Sequence, residues 1–351
     1  MKLQHVFFLS VFLVCLLGCQ GESNPEKKSA ATSEDSTITS FKTIGYIERL
    51  DPALDAIIPK DAKIEILADG MNWAEGPLWL ADKQWLLFTD VPENKIYKWS
   101  EEKGLETYLE PSGFTGDSTD SRERGANGLT LDAEGFLVMC QHGNRQIARM
   151  KSALDDPQPK YESIVAEYQG RRLNSPNDLV YDSKGNLYFT DPPYGLSEKM
   201  TEDPKKELPF QGVFMKSKDG DLKLISDKIS RPNGIALSPD EKTLYIANSD
   251  PEKAVWMAFT LEEPGKADAG KVFYEATTMV GKEKGLPDGM KIDKQGNLFA
   301  SGPGGIWVIS PEAKVLGKIK TEQATANCAF NEDKSVLYIT ADSYLMRVKL
   351  K

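Results

Sequence analysis

The sequence predicts an all-β, six-bladed β-propeller, on three observations. One hairpin-like phrase recurs six times. Its starts lie about 40 to 55 residues apart, the length a four-stranded blade requires. Few stretches between them carry the 3.6-residue apolar period of an amphipathic helix.

The six phrases are Glu75–Asp90, Asn127–Met139, Asn177–Asp191, Asn233–Asn248, Asp288–Ala300 and Asn327–Thr340. Each opens on an acidic or amide residue and continues as a short alternating strand. A turn of Asp, Gly and Lys follows, then a second strand rich in Leu, Tyr, Phe and Ile. That order is the signature of a β-hairpin. Further strands between the hairpins, such as Lys95–Trp99, Val213–Lys216, Val255–Phe259 and Ile306–Ile309, supply the outer part of each blade. The last blade has strands near 327–331, 336–340 and 344–350, and lacks one. Lys63–Ala68 is expected to fill that place, which joins the two ends of the ring and removes an exposed edge. The propeller is placed at residues 44–351.

The N-terminus reads differently. Lys2 precedes an apolar run from Val6 to Gly18, too short for a comfortable membrane span and suited to a signal-peptide core. The run ends in Leu16, Leu17, Gly18 and Cys19, which resembles a bacterial lipobox. Residues 1–18 are therefore expected to be a lipoprotein signal peptide, with Cys19 the lipidated first residue. Gln20 after the cysteine fits the periplasmic side of the outer membrane. Residues 19–43, rich in Ser, Thr, Glu, Lys and Ala, read as a flexible tether. Of the four cysteines, Cys140 and Cys328 would remain in the folded domain, expected as two separate buried thiols, with a disulfide between them as the alternative an oxidising compartment allows.

A formal charge of -10 argues against nucleic acid as a partner, since such binding needs a basic face. No obligate protein partner is evident. Membrane contact is expected through the lipid anchor only.

The repeat aligns six polar residues: Glu75, Asn127, Asn177, Asn233, Asp288 and Asn327. In a propeller such positions ring the central channel on one face. They could be turn formers that cap strand starts. They could also hold a metal, because every one offers an oxygen and two are carboxylates that would repel without a cation between them. An oxygen-only set argues against a thiolate zinc centre.

Glu75-Gly76-Pro77, Asn177-Asp178, Asn233-Gly234 and Pro287-Asp288-Gly289-Met290 resemble the senescence-marker-protein, gluconolactonase and luciferin-regenerating-enzyme family. Cys140–Arg145, Leu173–Asp178 and Phe189–Gly195 favour its gluconolactonase branch. The resemblance covers residues 70–351. It implies one divalent cation in the central channel, held by Glu75, Asn177, Asn233 and Asp288. Ca²⁺ is the expected ion, with Mg²⁺, Mn²⁺ and Zn²⁺ as alternatives. It also implies hydrolysis of a sugar lactone such as glucono-1,5-lactone, with Asp288 as general base.

Hydrolysis of a cyclic ester needs a polarised carbonyl, an activated water and help for the leaving alkoxide. A divalent cation and a nearby carboxylate together supply these. A Ser-His-Asp triad finds no support, because His142 is the one histidine beyond the signal and no Gly-x-Ser-x-Gly elbow accompanies it. His142 and Arg145 are expected at the pocket mouth, or as structural residues. Asn127 and Asn327 are candidates for holding water or substrate, and Asp178 for supporting the site or binding a deeper cation. Tyr194, behind Pro192 and Pro193, is expected to bring an aromatic face over the channel. Ser175 stands where animal members of the family carry an arginine, so their sugar-acid contact does not transfer. The polar insertion at 110–126 reads as a lid or a surface loop. Two further functions fit the same residues: hydrolysis of other esters or organophosphates, and non-enzymatic binding of a sugar or protein.

Overall fold

A computed structural model describes residues 41–117 and 121–351. The expected signal peptide, Cys19 and residues 20–40 of the tether lie outside the described residues. The compact unit runs from Phe41 to Lys351.

Among the described residues, six antiparallel sheets of four or five strands follow one another along the chain, and a two-stranded ribbon pairs Glu167–Tyr168 with Arg171–Arg172. The first has strands Ala74–Leu80, Trp85–Asp90, Lys95–Ser100 and Gly104–Leu109, in sequence order from the axis outward. The next three begin with inner strands Ala126–Leu131, Leu179–Tyr181 and Pro232–Leu237. The fifth begins with Met290–Ile292 and the sixth with Thr325–Phe330. Ile64–Asp69 pairs with Tyr344–Lys349 and completes the sixth blade, as the ring-closure argument expects. A strand near the N-terminal end of the domain was not anticipated. Tyr46–Arg49 adds to Val315–Lys320 and gives the fifth blade a fifth strand, which covers an edge otherwise open to pairing.

Strand alternation builds the core. Successive side chains point to opposite faces, so each blade supplies apolar residues to both neighbours. Leu86 and Phe88 pack toward the sixth blade, whereas Leu87 packs toward the second. Leu187 and Phe189 meet the second blade, and Tyr188 meets the fourth. Six buried clusters result, one for each blade interface. Trp256 and Trp307, with ring centroids 5.4 Å apart, fill the interface of blades four and five. Cys140 and Cys328 are separate, buried free thiols in different blades.

Near the axis the blades are locked by polar contacts. Thr89 Oγ1 donates to the carbonyl of Asn127 at 3.2 Å, and Thr190 Oγ1 to that of Asn233 at 2.6 Å. Ser301 Oγ donates to the Ala326 carbonyl at 2.7 Å. Each reaches from the second strand of one blade to the inner strand of the next. Glycines permit the approach. A Cβ on Gly76 would lie 2.0 Å from the Asn127 carbonyl oxygen, and one on Gly234 would lie 2.2 Å from that of Asp288. The Asn-Gly and Asp-Gly pairs therefore mark close strand contact rather than turns. Pairing slips by a residue at several of them, as between Glu75 and Leu78 and between Pro232 and Ile235.

The insertion at 110–126 folds as a strap, of which 118–120 lie outside the described residues. Asn94 organises it: its Oδ1 accepts from the backbone N–H groups of Ser112, Gly113 and Phe114 at 2.7–3.1 Å.

Candidate active site

The ends of the second strands hold the ring in place. Asp90 accepts from the backbone N–H of Asn72 and Trp73, just before Glu75. Asp191 accepts from Asn174 and Ser175, both at 2.8 Å, just before Asn177. Asn248 accepts from Arg231 at 2.9 Å, just before Asn233. One device thus fixes three ring positions. Burial pushes Asp191 up to about 7, against those two N–H donors.

Glu75, Asn127, Asn177, Asn233 and Asp288 converge on one cavity of about 420 Å³. Trp73, Tyr194, Ser249, Pro251, Val280 and Leu286 also line it. Asn327, the sixth ring residue, sits behind Glu75: its Nδ2 donates to Glu75 Oε2 at 3.4 Å, and its Oδ1 accepts from Cys328 N at 2.8 Å. Ser249 Oγ accepts from Asn233 Nδ2 at 2.9 Å, which orients the amide.

Among the described residues, four buried side-chain oxygens on the ring or on Asp178 beside it in the chain have no protein partner: Asn127 Oδ1, Asn233 Oδ1, Asp288 Oδ1 and Asp178 Oδ2. Buried oxygens are normally satisfied, so such a group calls for an explanation. Burial pushes Glu75 up to about 8, and nearby Asp178 adds to the shift. Burial, then the charge of Glu75, holds Asp288 well above the usual carboxylate range. Two carboxylates that resist ionising together, beside orphaned amide oxygens, form a site suited to a hard divalent cation. Among the described residues no three of His, Cys, Asp and Glu gather as metal ligands. The fit is therefore to a mixed amide and carboxylate set and not to a thiolate or imidazole centre.

The remaining candidates fall in different places. Asp178 is buried and does not line the cavity; its Oδ1 accepts from Leu179 N at 2.9 Å. Tyr194 is half-buried in the wall, and burial raises its phenol. Ser175 explains how it gets there: its Oγ donates to the Pro192 carbonyl at 2.6 Å and accepts from Gly195 N at 2.8 Å. The serine ties down the loop that carries the tyrosine.

Of the two expectations for His142 and Arg145, the pocket-mouth position is corrected, since neither lines the cavity, and the structural alternative is the one that fits. Arg145 is buried outside this cavity, and its guanidinium donates to the carbonyls of Leu173, Asn174 and Lys205. It staples three loops together. His142 is fully buried beneath the strap, with Nδ1 3.4 Å from Glu123 Oε2. Glu123 itself lines the cavity. Sequence reasoning missed it because the strap lies outside the repeat. Trp73 and Ser249 were legible only through their offsets from Glu75 and Asn233.

Residues 73–343 match the SMP-30/Gluconolactonase/LRE-like region. A gluconolactonase of Zymomonas mobilis is 40% identical over 316 residues, covering 88% of this chain and 87% of that protein. Regucalcin of Sus scrofa is 23% identical over 79% of this chain and 86% of its own length. Among solved structures, a gluconolactonase of Xanthomonas campestris superposes with a TM-score of 0.74 at 29% identity, covering 90% of this chain and 99% of that one. The six blades, the ring of oxygen donors and this match over most of the sequence lead to one assignment: the chain belongs to the SMP-30/gluconolactonase/LRE-like family.

Proposed function

We propose that this enzyme, a carboxylic-ester hydrolase of the gluconolactonase type, opens a sugar lactone such as glucono-1,5-lactone to its aldonic acid with the help of a divalent cation. One observation carries the reading: two carboxylates and partnerless amide oxygens converge on a single axial cavity. Glu75, Asn177, Asn233 and Asp288 would hold the ion, Ca²⁺ in the first instance. A cation bound there would polarise the lactone carbonyl and acidify water.

The chain's own residues do the rest. Asp288 takes a proton from the water whose oxygen bonds to the carbonyl carbon. As the ring C–O bond breaks, the same carboxyl returns that proton to the leaving alkoxide, so the reaction balances as lactone plus water to hydroxy acid. Asn327 and Gly76 N, both bonded to Glu75 Oε2, hold that carboxylate in place. Asn127 Oδ1, which lacks a protein partner, would accept from a sugar hydroxyl, and Tyr194 and Trp73, which line the cavity, would pack against the sugar ring. We also propose that Cys19 carries the lipid anchor and that the domain works on the periplasmic side of the outer membrane.

The test is lactone hydrolysis by residues 41–351 after EDTA treatment, with Ca²⁺, Mg²⁺, Mn²⁺ or Zn²⁺ added back and spontaneous ring opening subtracted. Loss with EDTA and recovery with one ion is the expected result. Full activity in EDTA would overturn the role of the cation. Tight ion binding without lactone hydrolysis would move the function to another ester or to ligand binding.

A further inference from the structure

The cavity has a polar rim that the ring does not explain. Glu123 reaches it from the strap, and Glu283 from the other side. The two differ in electrostatic setting. Glu283 is paired with Lys320, whose side chain is largely buried. Glu123 has no Lys or Arg partner among the described residues; its near neighbour is His142.

The position of Glu123 is built. Backbone bonds from His142 N to the Gly125 carbonyl at 3.1 Å and from Gly143 N to the Arg124 carbonyl at 3.2 Å clamp the strap just after it. Gly125 N donates to the Val91 carbonyl at 2.7 Å and fixes the other side. Behind Glu123, the imidazole of His142 is wholly buried, and loop residue Gly195 packs so closely that a Cβ there would lie 2.6 Å from His142 Cβ. The backbone of this part of the strap is thus anchored, and the half-exposed Glu123 side chain lines the cavity with one carboxylate oxygen 3.4 Å from His142 Nδ1. Among the described residues no Lys, Arg or His lines the cavity to offset its charge.

We propose that Glu123 is a specificity-determining residue: it accepts hydrogen bonds from the hydroxyls of an uncharged sugar lactone and turns away lactones that carry a second anionic group, a phosphate or a uronic carboxylate. The inference rests on the lactone-hydrolase reading above. The physics is simple. A fixed carboxylate at a cavity mouth welcomes donors and repels anions, and the repulsion weakens as salt screens it. A neutral polyol presents only donors and acceptors, so it gains a charge-assisted bond.

The test uses the full chain in non-ionic detergent with the cation supplied. The value of kcat/KM is measured on glucono-1,5-lactone and on its 6-phosphate, at low and high salt. Wild type should favour the neutral lactone. Glu123→Gln should narrow that preference by about ten-fold at low salt and by less at high salt. On the neutral lactone it should raise KM while kcat stays within about two-fold. Glu123→Asp, which keeps the charge, should keep the discrimination. A preference equal in Glu123→Gln and wild type at both salts overturns the proposal. A wild-type chain that opens neither lactone overturns the lactone reading itself, and this inference with it.

Discussion

Gly234→Ala tests whether the active site depends on the contact between blades four and five. The added Cβ would lie 2.2 Å from the Asp288 carbonyl oxygen, 2.8 Å from Gly289 Cα and 2.9 Å from the Asp288 carbonyl carbon. All three are backbone atoms, so no flexible side chain can yield. The inner strands must part by about 1 Å to reach ordinary van der Waals contact. Overpacking of this kind costs about 1–3 kcal/mol, or about 4 °C of melting temperature in a domain of this size. The functional cost is larger, because Asn233 and Asp288 flank the contact and would be pushed apart. A displacement of about 1 Å at a reacting centre can cost about 100-fold in rate. Thermal melts, isothermal titration with Ca²⁺ and lactone kinetics read the three effects. Gly135→Ala is the control. That glycine has φ +82° with nothing within 4 Å of an added Cβ, so it should lose about 1 kcal/mol through the backbone alone and keep full activity. Equal activity in Gly234→Ala and wild type would refute the argument that close blade contact sets the ligand spacing.

Three further outcomes are expected. Asp288→Ala should abolish lactone hydrolysis while circular dichroism shows an intact propeller; full activity would remove Asp288 from the chemistry. Asp191 holds its proton more tightly folded than unfolded, since its folded pKa of about 7 stands above the ordinary 3.8. Its contribution to stability is therefore complete below about pH 4 and lost as pH rises through about 7, with an upper bound on the order of 4 kcal/mol. Urea midpoints from pH 4 to 8 should fall less steeply in Asp191→Asn than in wild type, and parallel curves would contradict the assignment. Cys19→Ser should release the protein from membrane fractions; a variant that stays membrane-bound would count against the anchor.

Much of this was legible in the sequence because one structural unit is written six times. The period located the blades, the missing strand located Ile64–Asp69, and the aligned polar residues located the ring. What escaped lay outside the repeat or depended on contacts between repeats. Glu123 sits in an insertion with no counterpart in other blades. Arg145 and His142 stand beside the cavity in sequence terms, yet the first staples loops and the second is sealed under the strap. Tyr46–Arg49 is too short and too mixed to announce itself as a strand. Gly76 and Gly234 were readable as turn residues, and only the neighbouring blade shows why a side chain is excluded.

The joint in the last blade has a consequence for how the molecule acquires activity. Arg347 bonds to Glu65 across 282 residues of chain, and Asn327 bonds to Glu75 across 252. The candidate pocket is thus bounded on one side by the junction of the last blade with the first. Early blades can form as hairpins while later ones are still unstructured, but Glu75 meets Asn327 only when the final blade docks on the first. Loop-closure entropy of that span makes docking a late and slow event. A nascent or partly unfolded chain therefore carries no half-working site, and the gain of activity during refolding should track ring closure rather than the growth of β structure.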